Sequence, residues 1–227
     1  MKKTLQRFGV ALSIVFVSTA AHATILTFEI TNLPFNSPIP QEYGDRVTSS
    51  AEVSGPFIFN YGQGNGFTPN VVVEYAADAT PSVSTPNSWP DGYGDLLDVV
   101  WGEGPSIGFN NVTISLIADP GFDVVLNSFD IAAWIGDRQS ETLEVVVDGS
   151  VLDLSTIVLG DNSHSTFNPG VSGDRIDLTF GNAWWLAVDN VNFDQRLDGS
   201  EPVPEPAALL LLAFGLVGLG FSRRRLN

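Results

Sequence analysis

Short apolar runs alternate with turn-forming residues from residue 24 to residue 194, and this alternation restricts the fold more than any other feature of the chain. Within the runs, apolar and β-branched residues recur with a period of two, which is typical of strands that bury one face. No run shows the 3.6-residue apolar period of an amphipathic helix. The predicted strands are Ile25–Thr31, Val71–Tyr75, Leu96–Trp101, Val112–Ala118, Phe122–Leu126, Phe129–Trp134, Leu143–Val147, Arg175–Phe180 and Trp185–Phe193.

Turn signals such as Asp119-Pro120-Gly121 and Asp148-Gly149 separate these runs. Residues 32–70 are rich in Pro, Asn, Gly and Ser, which predicts long loops there. Many short strands at regular spacing favour two packed antiparallel sheets, and the region is long enough to bury a core between them. We therefore expect an all-β sandwich over residues 24–194, followed by a linker over residues 195–202.

The first 23 residues have the three parts of a secretory signal peptide. A positively charged start leads into an apolar centre at residues 10–17, which is too short to cross a bilayer. Ala21 and Ala23 form the small-x-small pattern that signal peptidase recognises. We expect cleavage after Ala23, so that the mature chain begins at Thr24.

The C-terminal region also has three parts in a fixed order. Pro204, Glu205 and Pro206 precede an uncharged apolar run over residues 207–221, and a cluster of Arg223, Arg224 and Arg225 follows. As a helix the run is about 22 Å long, so it would span a ~30 Å hydrocarbon core only with bilayer thinning and snorkelling arginines. The positive-inside rule keeps the arginines in the cytoplasm and the preceding domain outside. The alternative is a last hydrophobic helix of a globular core.

This order of motif, apolar helix and basic end resembles the PEP-CTERM sorting signal over residues 203–226. The resemblance implies recognition and cleavage by an intramembrane exosortase in a Gram-negative bacterium that produces extracellular polysaccharide. It implies a precursor anchored in the inner membrane and a product at the cell surface or in the extracellular matrix. It implies nothing about the activity of the domain in front of the tail.

Charge and cysteine content exclude several classes of function. Between Thr24 and Val203 there are 25 Asp and Glu residues against four Arg, a balance of −21. A domain this acidic repels phosphate backbones, so nucleic-acid binding is excluded. The chain has no cysteine, which excludes disulfides, thiolate zinc sites and cysteine nucleophiles.

The exported domain also resembles jelly-roll ectodomains similar to galactose-binding-like carbohydrate modules. The resemblance rests on residues 43–47, on residues 114–134 across their Asp-Pro-Gly turn, and on residues 187–193. It implies a jelly-roll-like sandwich with a structural calcium that joins the first and last strands. Glu29, Asp45 and Asp189 are the predicted calcium ligands, and solvated surface carboxylates are the alternative.

Trp184 and Trp185 are the predicted glycan-binding residues. Neighbours on a strand face opposite sides, so one indole is expected to enter the core and the other to face solvent. The exposed ring can stack on a sugar ring, while packing in the core or in an interface is the alternative.

A hydrolase is the competing hypothesis. Residues 104–108 match the G-x-S-x-G pattern around Ser106, and His164 is the only histidine after the predicted cleavage site. A nucleophile elbow needs a strand, a sharp turn and a helix, whereas this segment leads into another predicted strand. Carboxylate pairs for glycoside hydrolysis are numerous, and sequence ranks none of them. We therefore expect a non-enzymatic protein, structural or binding exopolysaccharide, with a secreted esterase or glycosidase as the alternative.

Overall fold

Strands and turns make up the part of the chain that the computed structural model describes, namely residues 23–64, 66–79, 82–102, 110–140 and 142–199. The strands are β1 Ala23–Thr31, β2 Ala51–Ser54, β3 Phe57–Gln63, β4 Val71–Ala79, β5 Ser82–Ser84, β6 Asn87–Trp89, β7 Val99–Trp101, β8 Val112–Ala118, β9 Phe122–Ala133, β10 Arg138–Gln139, β11 Leu143–Val147, β12 Ser150–Asp153, β13 Ile157–Val158, β14 Ser165–Phe167, β15 Val171–Gly173, β16 Arg175–Phe180 and β17 Leu186–Leu197. The prediction of an all-β fold is confirmed.

Two antiparallel sheets form a sandwich. The large sheet has the order β14-β9-β17-β1-β3-β2, with β15 also paired to β9, β7 paired to β17, and β6 paired to β7. The small sheet has the order β12-β11-β16-β8-β4-β5, and β10 and β13 form a separate two-stranded ladder. The first and last strands lie side by side, because Ala23 pairs with Asp194 and Leu26 with Val191.

The core lies between the two sheets and follows the period-two pattern of the strands. On β8, Val112, Ile114 and Leu116 are buried, while the residues between them face outward. On β17 the alternation is interrupted at Asn190, which has a positive φ of 51° and lies where the register with β9 shifts. This β-bulge lets Val188 and Val191 both enter the core although they are three residues apart.

Side chains rather than a strand cover part of the outer edge of β4. The Gln41 side chain donates to the Tyr75 carbonyl at 2.8 Å and accepts from the Tyr75 N–H at 3.2 Å. Two residues earlier on the strand, the Val73 N–H donates to Asp45 Oδ1 at 2.7 Å. An uncovered strand edge is a template for pairing with other chains, and these contacts satisfy it from within the molecule.

Several strand predictions were confirmed and others need correction. β8, β11 and β16 have the predicted bounds, whereas the predicted strands 122–126 and 129–134 form one continuous β9. The segment 32–70, predicted as loops, contains β2 and β3. β3 includes Gly62, which a strand pattern would not favour, and its extended conformation is set by pairing with β1 and β2 on both sides.

The ends of the described region adjoin the two predicted targeting segments. β1 begins at Ala23, and β17 continues to Leu197, three residues into the predicted linker, because it pairs with β9 as far as Phe122. Among the residues that the structure describes, no helix is long and apolar enough to cross a membrane. The helix predicted over residues 207–221 lies outside them.

Candidate functional site

A second apolar cluster lies on the outer face of the large sheet. β6 and β7 are strands of this sheet, with β7 paired to β17 at Val100 and Val188, and the segment between them lies against the outer face. Its side chains then pack on Ala132 and Ala187, the outward-facing residues of β9 and β17. The cluster places several large rings at one end of the sheet, outside the main core.

Six rings are linked by edge contacts in this cluster, and we call them the aromatic platform. Trp89 is the centre: its ring centroid lies 4.6 Å from Phe35, 5.3 Å from Trp101 and 5.6 Å from Trp134. Tyr93 contacts Trp134 at 5.1 Å, and Trp184 contacts Trp101 at 4.9 Å. Mostly tilted or edge-to-face geometries at these distances are favourable for aromatic pairs.

The platform contains both buried and exposed rings. Trp101 and Tyr93 are buried, whereas Phe35 is 67% exposed and Trp184 is 36% exposed. Gly92, with a φ of +90°, lies against the Trp134 ring, where a Cβ would come within 2.7 Å of it. The exposed rings of Phe35 and Trp184 thus pack against the rings of Trp89 and Trp101, and such support suits a recognition surface.

A cleft of about 250 Å³ opens beside the exposed Phe35 ring. We call it the Phe35 cleft. Phe28 and Ile30 of β1 form part of its apolar lining, and Asn36, Ser88 and Asp98 contribute polar groups. Apolar side chains beside a few hydrogen-bonding groups are the usual lining of a small-molecule site.

The cleft is electrostatically negative. Burial is the main cause that raises the pKa of the Asp98 carboxyl above its usual value, and the negative charges of Glu29 and Asp91 add to it. Asp98 has a positive φ of 54°, which turns the chain just before β7. An acid with a raised pKa beside an aromatic ring can both accept and donate hydrogen bonds near its pKa.

The predicted glycan-binding pair Trp184 and Trp185 lies in a turn and not on a strand. The turn is closed by the Trp185 N–H donating to the Asn182 carbonyl at 2.8 Å, and β17 begins only at Leu186. Neither ring enters the core, so the expected inward and outward arrangement is wrong. Trp184 joins the aromatic platform, while the guanidinium of Arg138 lies 4.5 Å from the Trp185 ring centroid.

The three predicted calcium ligands lie in different surroundings. Glu29 is exposed on β1, Asp45 accepts from the Val73 N–H, and Asp189 is 5% exposed on the outer face of β17. Among the described residues, no group of three or more His, Cys, Asp or Glu side chains is placed to hold a metal ion. The calcium site stays a prediction.

Asp189 is buried beside other acids. Burial is the main cause that raises its pKa to about 8, and the charges of Asp130 and Asp98 raise it further, while the Asn190 N–H lowers it. At neutral pH the carboxyl is therefore mostly protonated. Calcium binding there would have to displace that proton.

His164, the predicted hydrolase base, lies between two carboxylates. Its Nδ1 is 2.8 Å from Asp95 Oδ1, and its Nε2 is 3.7 Å from Asp130 Oδ1. In a Ser-His-Asp triad, the second ring nitrogen would face the serine hydroxyl. Ser106 lies outside the described residues.

The targeting residues fall mostly outside the described residues. Ala21, the sorting motif Pro204-Glu205-Pro206 and the arginines of residues 223–225 are among those outside. Ala23 and Thr24, on either side of the predicted cleavage point, are the first residues of β1. The Thr24 hydroxyl is buried and lies 2.9 Å from the Thr68 hydroxyl.

Sequence reasoning missed most residues of the site. Phe35 and Asp98 lie more than sixty positions apart, and tertiary contacts bring them together. One signal was available: all five tryptophans occur at the ends of predicted strands or in the loops between them, where binding residues concentrate.

Comparison with known proteins identifies the tail. Residues 202–225 match the PEP-CTERM protein-sorting motif. No curated protein matches the chain. Among solved structures, the GH26-CBM35 β-(1,4)-mannanase of Podospora anserina is similar at 21% identity, with a TM-score of 0.36, over 60% of this chain and 29% of the mannanase chain. The chain thus ends in a PEP-CTERM sorting motif, which marks it as an exported protein that is anchored in the membrane before exosortase processes it.

Proposed function

We propose that the exported domain binds polysaccharide at the cell surface or in the extracellular matrix, without catalysis, through the aromatic platform and the Phe35 cleft. The single observation that carries this is the exposed Phe35 ring held against Trp89 at the mouth of a polar-rimmed cleft. A sugar ring has an apolar face of C–H groups and an edge of hydroxyls. An aromatic ring beside hydrogen-bonding side chains complements both.

The polar groups of the cleft fit a hydroxyl-rich ligand. Asn36 has an amide that can both donate and accept, Ser88 has a hydroxyl, and Asp98 has a carboxyl with a raised pKa. The negative surroundings disfavour polyanions. A neutral sugar unit is therefore the ligand that this chemistry favours.

One acidic pair on the outer face of the large sheet favours binding over hydrolysis. Asp130 and Asp189 are cross-strand neighbours, a spacing that a carboxylate pair could use. However, Asp130 accepts from the Thr166 hydroxyl at 2.7 Å and from the Asn190 amide at 3.0 Å, and Asp189 is buried. Both acids are thus engaged within the protein.

Replacing Phe35 by alanine tests the proposal. We expect Phe35→Ala to weaken binding of the host's own exopolysaccharide about tenfold, since loss of a stacking ring costs on the order of 1.4 kcal/mol. Isothermal titration calorimetry measures the affinity. Val53→Ala, which also truncates a strongly exposed apolar side chain but lies on β2, is the matched control.

Unchanged affinity in Phe35→Ala would refute the proposed site. The non-catalytic part of the proposal is checked separately by assaying release of reducing ends from the same polysaccharide and esterase activity on model esters. We expect background rates throughout. An activity that disappears in Asp130→Asn or in Ser106→Ala would establish the hydrolase alternative instead.

A further inference from the structure

A second open groove lies on the opposite side of the sandwich, on the outer face of the small sheet. Its volume is about 530 Å³, and we call it the Arg175 groove. It crosses β4, β8 and β16, whose other faces contribute to the core. The core separates this groove from the aromatic platform.

Small residues in register form the floor of the groove. Ala76 on β4 pairs with Thr113 on β8, and Ser115 pairs with Glu74 on one side and Asp177 on the other. Alternate residues on a strand share a face, so these short side chains line a trough across three strands. Longer side chains border it, with Gln41 at one side and Arg175 at the other.

The polar groups of the groove are held in fixed positions. Arg175 Nε donates to Asp177 Oδ1 at 2.9 Å, and its Nη2 donates to the Ser115 hydroxyl at 2.9 Å. Across the groove, Gln41 Nε2 donates to the Tyr75 carbonyl at 2.8 Å and to the Thr85 hydroxyl at 3.0 Å. Side chains fixed by such contacts lose little conformational entropy when a ligand binds.

The charge of the groove selects the class of ligand. Arg175 is the only cation of its lining, and it lies beside two carboxylates, with Asp177 hydrogen-bonded and Glu74 at 3.8 Å. One positive charge against two negative charges repels a uronic acid or a phosphate. Hydroxyls, an amide and an anchored guanidinium instead suit the hydroxyl groups of a neutral sugar chain.

We propose that the Arg175 groove is a second binding site for neutral glycan, so that one molecule bridges two polysaccharide chains. This inference rests on the proposed function, because it takes the Phe35 cleft as the first site. Two sites on opposite faces of one rigid sandwich cannot bind adjacent units of a single short oligosaccharide. They can hold two chains together, and such bivalent contact stabilises a network beyond the affinity of either site.

The stoichiometry of oligosaccharide binding tests the proposal. The probe is the neutral six-unit fraction prepared from the host's exopolysaccharide, titrated calorimetrically into the full-length mature protein. We expect two oligosaccharides per wild-type molecule and one for Ala76→Leu. Phe35→Ala should keep the groove site at wild-type affinity and weaken the other site about tenfold, and the double variant should keep only the weakened site. Ala76→Leu fills the floor of the groove without removing a hydrogen bond, and Val151→Leu, exposed on β12 of the same sheet, is the matched control.

The outcomes separate this inference from the proposed function. A wild-type stoichiometry of one, with an affinity that Phe35→Ala lowers about tenfold and Ala76→Leu leaves unchanged, refutes the groove as a binding site and leaves the proposed first site standing. Binding that only Ala76→Leu abolishes supports the Arg175 groove as a binding site and refutes the Phe35 cleft as one. Absence of binding in the wild type refutes both sites. Equal binding of the uronic-acid fraction at the groove would overturn the assignment to neutral glycan.

Discussion

At the scale of single residues, the folded domain holds Asp189 in its protonated form. Its pKa of about 8 lies above the value of 3.8 expected in the unfolded chain, mainly because the carboxyl is buried. Between these two values the folded state binds more protons than the unfolded state. The contribution of Asp189 to the free energy of unfolding is therefore fully present below pH 4, and it is lost as the pH rises towards 8.

We expect Asp189→Asn to remove this pH dependence. The wild type should lose up to about 1.4 kcal/mol of unfolding free energy per pH unit between pH 4 and pH 8 through this group, and the variant should not. An asparagine oxygen can still accept from the Asn190 N–H, which now donates to Asp189 Oδ1 at 2.6 Å. Urea unfolding at a series of pH values measures the slope.

Asp78→Asn, a change at an exposed carboxylate on β4, is the control for general charge effects. If Asp189→Asn and Asp78→Asn show the same slope as the wild type, Asp189 is not the group responsible. A variant less stable than the wild type at pH 8 would also contradict the assignment, since the burial of a charged carboxyl is the cost that asparagine avoids.

At the scale of elements, β4 is a strand with an edge that side chains protect. Gln41→Ala removes both hydrogen bonds to Tyr75 and leaves its N–H and carbonyl without these partners. We expect a loss of about 1–3 kcal/mol of unfolding free energy, which corresponds to a fall in Tm of roughly 2–12 °C. Differential scanning calorimetry measures the change.

The exposed edge should also favour association. We expect Gln41→Ala to form more aggregate than the wild type at high protein concentration, as followed by light scattering. Gln139→Ala is the control, because that amide donates only to the carbonyl of the adjacent Ser140 among the contacts described for it. If the two variants have the same Tm and the same light scattering, water replaces the hydrogen bonds of Gln41 to the Tyr75 N–H and carbonyl without loss.

The strands also show what local sequence can predict. β16 alternates between buried and outward residues throughout, β8 and β11 do so over part of their length, and the predicted bounds of all three were confirmed. β3 was missed because its glycine hides the pattern, and β9 was divided because Asn127 and Ser128 look like a turn. In both cases pairing with neighbouring strands overrides local propensity.

The site was harder to predict than the fold for a related reason. The pattern identified Trp184 as a candidate, but the Phe35 cleft depends on a loop before β2 meeting a loop before β7. Such a contact is set by which strands pair, and no short sequence window contains that information. The tail could be predicted because its signal is a linear motif, Pro204-Glu205-Pro206 and the residues after it. The match over residues 202–225 confirmed that prediction.

At the scale of the whole molecule, self-repulsion opposes folding. With 25 acids and four arginines between Thr24 and Val203, we expect sodium chloride to raise Tm, because salt screens exposed charges. Thermal melting of the purified protein from 20 mM to 500 mM salt, at fixed pH, measures this. A melting temperature that is independent of salt would mean that the surface charges are too far apart to repel.

The calcium prediction is checked in the same series. Melting in EDTA, in calcium and in magnesium at equal ionic strength separates a site from screening. A bound ion would stabilise the folded state by about 2.7 kcal/mol at a hundredfold excess over Kd. Only a calcium-selective rise that Asp189→Asn abolishes would support the predicted clamp between the first and last strands, and equal melting in EDTA and calcium would refute it.

The pairing of Ala23 with Asp194 places the two ends of the described domain side by side. Both the predicted signal-peptide junction and the strand that leads to the sorting tail lie at the same end of the sandwich. β1 runs from Ala23 towards Ile30, which lines the Phe35 cleft, and its nine residues span about 30 Å. The aromatic platform therefore lies at the opposite end of the sandwich from the end of β17 that leads to the sorting tail.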